Sequence, residues 1–380
     1  MQEKSENKQT TLFPFEGSFA HAPLMSPSVE KAATGSSQSS SQSSSQTRSE
    51  EEERWRRSIP AQVFLNHFFA ISYHLQYSEG SDALHQLTHF INHRPSLSEP
   101  DVEEIKKHLL NCWSTEYALR TTAELGDEHY LRNALHWTFP QAYYSIFSGL
   151  RAFLYTHGVR SNNTELMRRE VGRLVVKGFY PTAIGFYAAG HHDDFRVHRL
   201  PLSSYKPSLN LAGKEMEAQG QIGQFLRTTR KIRAKAVRQR VQSNPSTALR
   251  SVRTGEILQK FDASHWQQLT WRFGYTTYFD LLSRLKITAN HREIERFVEA
   301  DINFKLFHQS LLDLVSYLNF VHECYIAKAV GLEVYQQWIE ELPAHLQNGF
   351  VQNRLTEKIG TIVASVTPPV IDLPQLGLSA

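Results

Sequence analysis

Apolar positions recur at three- and four-residue steps along most of the chain, which is the period of an amphipathic helix. Val63, Phe64, Phe68, Ile71 and Leu75 mark the first such helix, which starts near Trp55. A short helix is expected over Asp82–His93, stopped by Pro95. Ser98-Glu99-Pro100-Asp101 then opens a longer one. Ser98 suits the N-cap, Pro100 the first turn, and Asp101, Glu103 and Glu104 the positive end of the helix dipole. Ile105, Leu109, Cys112, Trp113, Tyr117 and Leu119 mark its buried side.

Glu128–Thr156 reads as one long helix or two joined at Pro140. Its second half sets Ala142, Ser145, Ser148, Gly149 and Ala152 among aromatic residues, and small residues at helical spacing allow a neighbouring backbone to approach closely. Glu165–Lys177 reads as a further helix, and Phe179–Ser208 as mostly irregular. Two strong helices follow, Thr276–Ala300 and Ile302–Val330, the second carrying the stripe Phe304, Phe307, Leu311, Leu314, Leu318, Val321 and Tyr325. A last helix near Val334–Glu341 precedes a proline-rich tail from Pro368. With no βαβ pattern, strand ladder or internal repeat, the expected fold is all-α.

The first 53 residues lie outside this pattern. Gly35–Ser49 is almost entirely Ser and Gln and is followed by Glu50–Glu53, so the tract has little to bury against an ordering cost of about 1–2 kcal/mol per residue. Residues 1–53 are therefore expected to be a disordered tail, 54–97 an N-terminal helical segment, 98–333 the main helical domain and 334–380 a C-terminal helix and tail.

Composition excludes several classes. No run of about 18 apolar residues is present, so a membrane span is not expected. The first residues do not read as a secretory signal, and a cytoplasmic protein is the default expectation. Two cysteines, Cys112 and Cys324, cannot build a disulfide framework or a cysteine-based zinc site. Phosphate-loop, dinucleotide-binding, nucleophile-elbow and His-Glu-x-x-His motifs are missing from the sequence, and His191-His192-Asp193-Asp194 reads as a polar loop. No metal or cofactor is expected.

Net charge is only +3, so any electrostatic argument must be local. Residues 224–253 carry nine positive charges, and no acid lies between Glu217 and Glu256. Arg227, Arg230, Lys231, Arg233, Lys235 and Arg238 are the candidate nucleic-acid contacts within an inserted basic segment, 206–262. Clustered cations neutralise phosphates, and Trp266, Trp271, Phe273 and Tyr275 could stack on RNA bases. A solvated face that pairs with acidic segments, or with a partner protein, is the alternative.

Arg284 and His291 are seven residues apart, which on one helix places them within about 20° of the same face together with Thr288 and Glu295. An imidazole can move a proton and a guanidinium can stabilise a phosphate, the two services that RNA cleavage needs. These segments resemble a known family. Tyr143-Tyr144-Ser-Ile-Phe-Ser-Gly-Leu-Arg151-Ala-Phe-Leu, the Arg284-to-His291 segment and the helix from Phe304 with Phe307-His308 are similar to the helices of HEPN domains. That resemblance implies a dimerising helical bundle, often a metal-independent endoribonuclease with an Arg-x4–6-His motif at the dimer interface. It implies a 2′-hydroxyl attack leaving 2′,3′-cyclic phosphate ends, with His291 moving the proton and Arg284 stabilising the pentavalent phosphorus. Leu285 stands where active members often carry a polar residue. Arg151/His157 and Arg132/His136 are the competing pairs. A non-enzymatic interaction module and an RNA-binding adaptor are the alternatives to a nuclease.

Overall fold

The computed structural model describes residues 41–78, 83–191, 194–201, 209–288 and 291–366. In chain order the elements are α1 (Ser41–Tyr77), a 3-10 turn (Ala83–Gln86), α2 (Thr88–Ile91), α3 (Glu99–Leu125), α4 (Glu128–Asn133), α5 (Leu135–Tyr155) and α6 (Thr164–Lys177). The strands β1 (Tyr187–Gly190) and β2 (Phe195–His198) come next, then α7 (Glu215–Ser243), α8 (Ala263–Phe273), α9 (Tyr278–Thr288) and α10 (His291–Val298). The chain ends with α11 (Phe304–Val330), α12 (Leu332–Glu340), α13 (Ala344–Gln347), α14 (Phe350–Arg354), a π-helical turn (Leu355–Ile359) and α15 (Gly360–Val366). The molecule is overwhelmingly helical. Among the described residues no helix is long and apolar enough to cross a membrane.

The bundle is built on α3, α5 and α11, which pack against one another, with α1 laid over α7 and α11. One apolar core runs from Ala61 in α1 to Val363 in α15, so the N-terminal and C-terminal helices share it with the central ones. The small-residue face of α5 lets its neighbours approach closely. A Cβ at Gly149 would stand 2.9 Å from the Asn319 side chain on α11 and 3.0 Å from the Cys112 sulfur on α3.

Three expectations need correction. Residues 41–53, expected to be disordered, are the first turns of α1, while 1–40 lie outside the described residues. Once the packed part of α1 is fixed, each further residue gains a helical bond without a new nucleation cost, and Arg56–Glu52 at 2.7 Å adds an i,i+4 pair. The 128–156 segment breaks at Ala134 and runs through Pro140, which sits near the start of α5. The 276–300 segment is helical over α9 and α10, and residues 289–290 between them lie outside the described residues. The irregular segment after Phe179 contains an antiparallel hairpin in which Ala188 pairs with Val197, and Ala188 also bridges to Thr276.

A buried ionic network ties the C-terminal segment to the bundle. Arg354 donates to Glu116 on α3 and to Glu323 on α11, and both carboxylates are fully buried. Glu116 also accepts from Arg120 at 2.8 Å and from Asn319 at 2.8 Å, and Glu323 accepts from the Tyr335 hydroxyl at 2.7 Å. Burial raises Glu116, but the Arg354 and Arg120 guanidiniums more than offset it and hold it below the usual carboxylate range. Burial pushes Glu323 up, and the neighbouring Glu116 charge adds to the rise. Removing one member of such a network leaves a buried charge uncompensated, at a cost of about 3–5 kcal/mol. Arg354→Ala should therefore lower the unfolding free energy by about that amount and expose residues 350–366 to protease. Arg354→Lys should not restore it, because a point-like ammonium lacks the guanidinium fork that spans both carboxylates. Urea denaturation of the three proteins checks this.

Candidate nucleic-acid interface

Glu215 and Glu217 start α7, where acids complement the helix dipole, and Asn244-Pro245 follow its last turn. At 100° per residue, Arg227, Lys231, Lys235 and Arg238 fall within about 80° of one another. Arg227, Lys231 and Lys235 are exposed and Arg238 half-buried, and none of the four pairs with a carboxylate among the described residues. The Arg227 guanidinium lies 5.7 Å from the Phe195 ring centre and that of Arg238 5.7 Å from Phe261. At such distances the rings hold the cations by cation–π attraction without neutralising them.

Arg230 and Arg233 do not join this face. Arg230 is 1% exposed. It donates to the carbonyls of Gly274 (3.1 Å) and Gly190 and to the Thr276 hydroxyl (3.0 Å). Burial pulls it down to about 10. Arg233 donates to the Phe273 carbonyl at 3.1 Å and to Glu165 on α6 at 2.7 Å. Arg168, which carries no sequence signal of a role, binds the same Phe273 carbonyl (3.0 Å) and the same carboxylate (2.6 Å) and lies 3.7 Å from Asp280. Partial burial raises Glu165, but Arg168 and Arg233 outweigh it and bring the carboxyl down to about 2. These three arginines clamp α6, α7, the hairpin and the α8–α9 turn together. They are internal, and the basic segment divides by face into a clamp and a stripe.

The distal part of α7 has a small core of its own. Ala234, Val237 and Val241 pack with Leu269 and Phe273 of α8, flanked by Leu249, Phe261 and Trp266. Phe273 is buried and Trp266 half-buried, whereas Trp271 is 74% exposed with the Arg272 guanidinium 4.9 Å from its ring centre. Among the four aromatic residues considered for base stacking, Trp271 presents the largest free surface.

The Arg284 guanidinium points into the protein. It donates to Thr228 (3.1 Å) and Thr229 (3.2 Å) on α7 and lies 4.8 Å and 4.9 Å from the ring centres of Phe64 and Phe225. Burial lowers it to about 9, so it stays charged at neutral pH. His67 on α1 stacks on Phe225 beside it, 4.5 Å between centroids, and is brought down to about 3 by burial first and by the Arg284 charge second. His291 opens α10, and its side chain lies outside the described residues. The helical spacing that relates it to Arg284 spans residues 289–290, which also lie outside the described residues. Of the competing pairs, Arg151 is bound to Asn162, and Arg132 donates to the Val298 carbonyl at 2.6 Å. Among the described residues no group of three or more His, Cys, Asp or Glu is placed to hold a metal ion, and His192 and Asp193 lie outside them.

Comparison with protein-family models, with curated proteins and with solved structures gave no match.

Two outcomes follow from the interior placement. Arg284→Ala should cost about 2 kcal/mol or more in urea unfolding, whereas a surface cation would cost less than about 0.5 kcal/mol. His67, and His322 in the buried Tyr180–Tyr278–His322 cluster, are both held near 3 by burial, against 6.5 in the unfolded chain. Below pH 6.5 the unfolded chain takes up protons that the fold refuses. Stability should be complete above about 6.5 and fall on acidification toward about 3, by roughly 1.4 kcal/mol per pH unit for each histidine. The pH dependence of the urea midpoint, flatter in His67→Gln, measures it.

Proposed function

We propose that the chain is an RNA-binding adaptor that grips a single-stranded phosphate backbone along the outer face of α7. The observation that carries this reading is the stripe of Arg227, Lys231, Lys235 and Arg238, cations on one helix face with no carboxylate partner among the described residues. Successive members are three or four residues apart, so they sit about 5–6 Å from one another, close to the phosphate spacing of an extended strand. Trp271 on the neighbouring α8 supplies an exposed ring for a base, and base–aromatic stacking contributes about 1–3 kcal/mol without demanding a sequence. An acidic protein would also meet the stripe, but it would leave Trp271 without a flat partner; RNA uses both features.

A helical bundle of HEPN type remains part of this reading, on the strength of its sequence motifs. Cleavage does not. Arg284 is engaged by Thr228, Thr229 and two phenyl rings, which argues for a structural cation in place of one that meets a scissile phosphate.

Fluorescence anisotropy with labelled single-stranded RNA tests the reading. Four phosphate contacts correspond to a log–log salt slope of about −3, or roughly fiftyfold weaker binding between about 50 and 200 mM salt. Arg227→Gln/Lys231→Gln/Lys235→Gln/Arg238→Gln should abolish most of the affinity on all sequences alike and flatten that slope. Binding that ignores salt, or that survives the fourfold substitution, refutes it. Incubation of RNA with the chain in EDTA should leave the RNA intact; 2′,3′-cyclic ends that vanish in His291→Ala would replace the adaptor by a nuclease.

A further inference from the structure

On the far side of α5 from its N-terminus, a cleft of about 440 Å³ opens where the segment from α2 to α3 meets the end of α5. His89, His93, Arg94, Asp101, Thr156, His157, Arg160 and Phe179 supply its chemistry. Its one lining carboxylate is already engaged: Asp101 accepts from Arg160 at 2.6 and 2.7 Å and from the Ser98 hydroxyl at 2.5 Å. Arg94 is exposed on the rim and pairs with no carboxylate among the described residues. The lining therefore holds one uncompensated guanidinium and three imidazoles.

The surroundings add to this positive field. Lys177 at the end of α6 acts on His157, Lys328 on α11 acts on His93, and Arg94 acts on Lys328. The His93 and His157 rings are 4.8 Å apart, and His89 stacks on Phe179 at 4.2 Å. His93 shares a hydrogen bond with the Thr156 hydroxyl at 3.1 Å, whereas the buried Nε2 of His157 has no hydrogen-bond partner among the described residues. A buried polar atom left in that state costs about 1–3 kcal/mol, which calls for a functional reason. Burial, and then neighbouring positive charge, hold His93 at about 3 and His157 at about 4, so both are neutral at pH 7.

We propose that this cleft binds a small metabolite through an oxyanion, a phosphoryl or carboxylate group, with Arg94 as its main charged contact and the histidine cluster as its floor. An anion offsets the positive charges of Arg94, Lys177 and Lys328 that surround the cleft. This site is separate from the α7 stripe and does not rest on the RNA reading.

Isothermal titration of the full chain at pH 7 uses sulfate and malonate as probes. The expected result is saturable binding of one of them. Tighter sulfate binding indicates a phosphoryl ligand, tighter malonate binding a carboxylate. Arg94→Gln, an exposed change that spares the core, should weaken binding about tenfold. The fourfold Gln variant of α7 should bind the anions as the wild type does. The proposal fails if neither anion binds at millimolar concentration, or if Arg94→Gln binds as tightly as the wild type.

Discussion

A guanidinium carried into a helical bundle has to find acceptors there, because a buried charge without them is too costly to keep. Helices use their own carbonyls, so the acceptors within reach are carboxylates, hydroxyls and the carbonyls freed at turns and strand ends. Arg230 meets this constraint with the Gly190, Gly274 and Thr276 oxygens, and Arg354 meets it with Glu116 and Glu323. Each solution joins segments distant in the chain. The basic helix is fixed to the hairpin and the α8–α9 turn, and the C-terminal helices are fixed to α3 and α11.

This constraint explains which parts of the molecule could be read from its sequence. The helices were legible because burial imposes the 3.6-residue period: Phe304, Phe307, Leu311, Leu314 and Leu318 of α11 are all buried. Ser98 stands at the N-cap of α3 as expected, and its N–H donates to Asp101 at 3.2 Å. The hairpin was hidden because Ala188 finds its partners in Val197 and Thr276, and the latter pairing depends on a fold already formed. Residues 350–366 carry a legible stripe that the sequence reading passed over: Val351, Leu355, Ile359 and Val363 recur at four-residue steps and are all buried. What the sequence could not show is the long-range ionic contact of Arg354 with Glu116 and Glu323.

The candidate sites divide in the same way. A run of cations in a sequence does not say which of them point inward, and helical spacing alone puts Arg230 only about 60° from Arg227. What sends Arg230 inside is the pair of glycine carbonyls and the threonine hydroxyl that await it, and no local motif encodes those. Arg284 likewise finds acceptors that no local motif encodes. Seven-residue spacing to His291 suggested a polar stripe on one helix, but the guanidinium turns toward Thr228 and Thr229 on α7. Arg168 left no mark in the sequence because it lies inside an ordinary amphipathic helix, with no motif around it.

The internal arginines also govern what the surface stripe can do. Arg168 and Arg233 converge on Glu165, and Asp280 stands beside Arg168, so most of the inner charge is compensated where it sits. The field outside α7 therefore comes from the seven cations of the segment other than Arg230 and Arg233, four of which form the stripe. The clamp contributes orientation instead. Arg230 and Arg233, bound to the Gly190, Gly274 and Phe273 carbonyls and to Glu165, stop the helix from turning about its axis, so the stripe has a fixed direction in space. A rigid row of cations meets phosphates with less ordering cost than a flexible basic tail of equal charge, because side chains alone have to settle. On this argument, loosening the clamp would weaken RNA binding without removing a single phosphate contact.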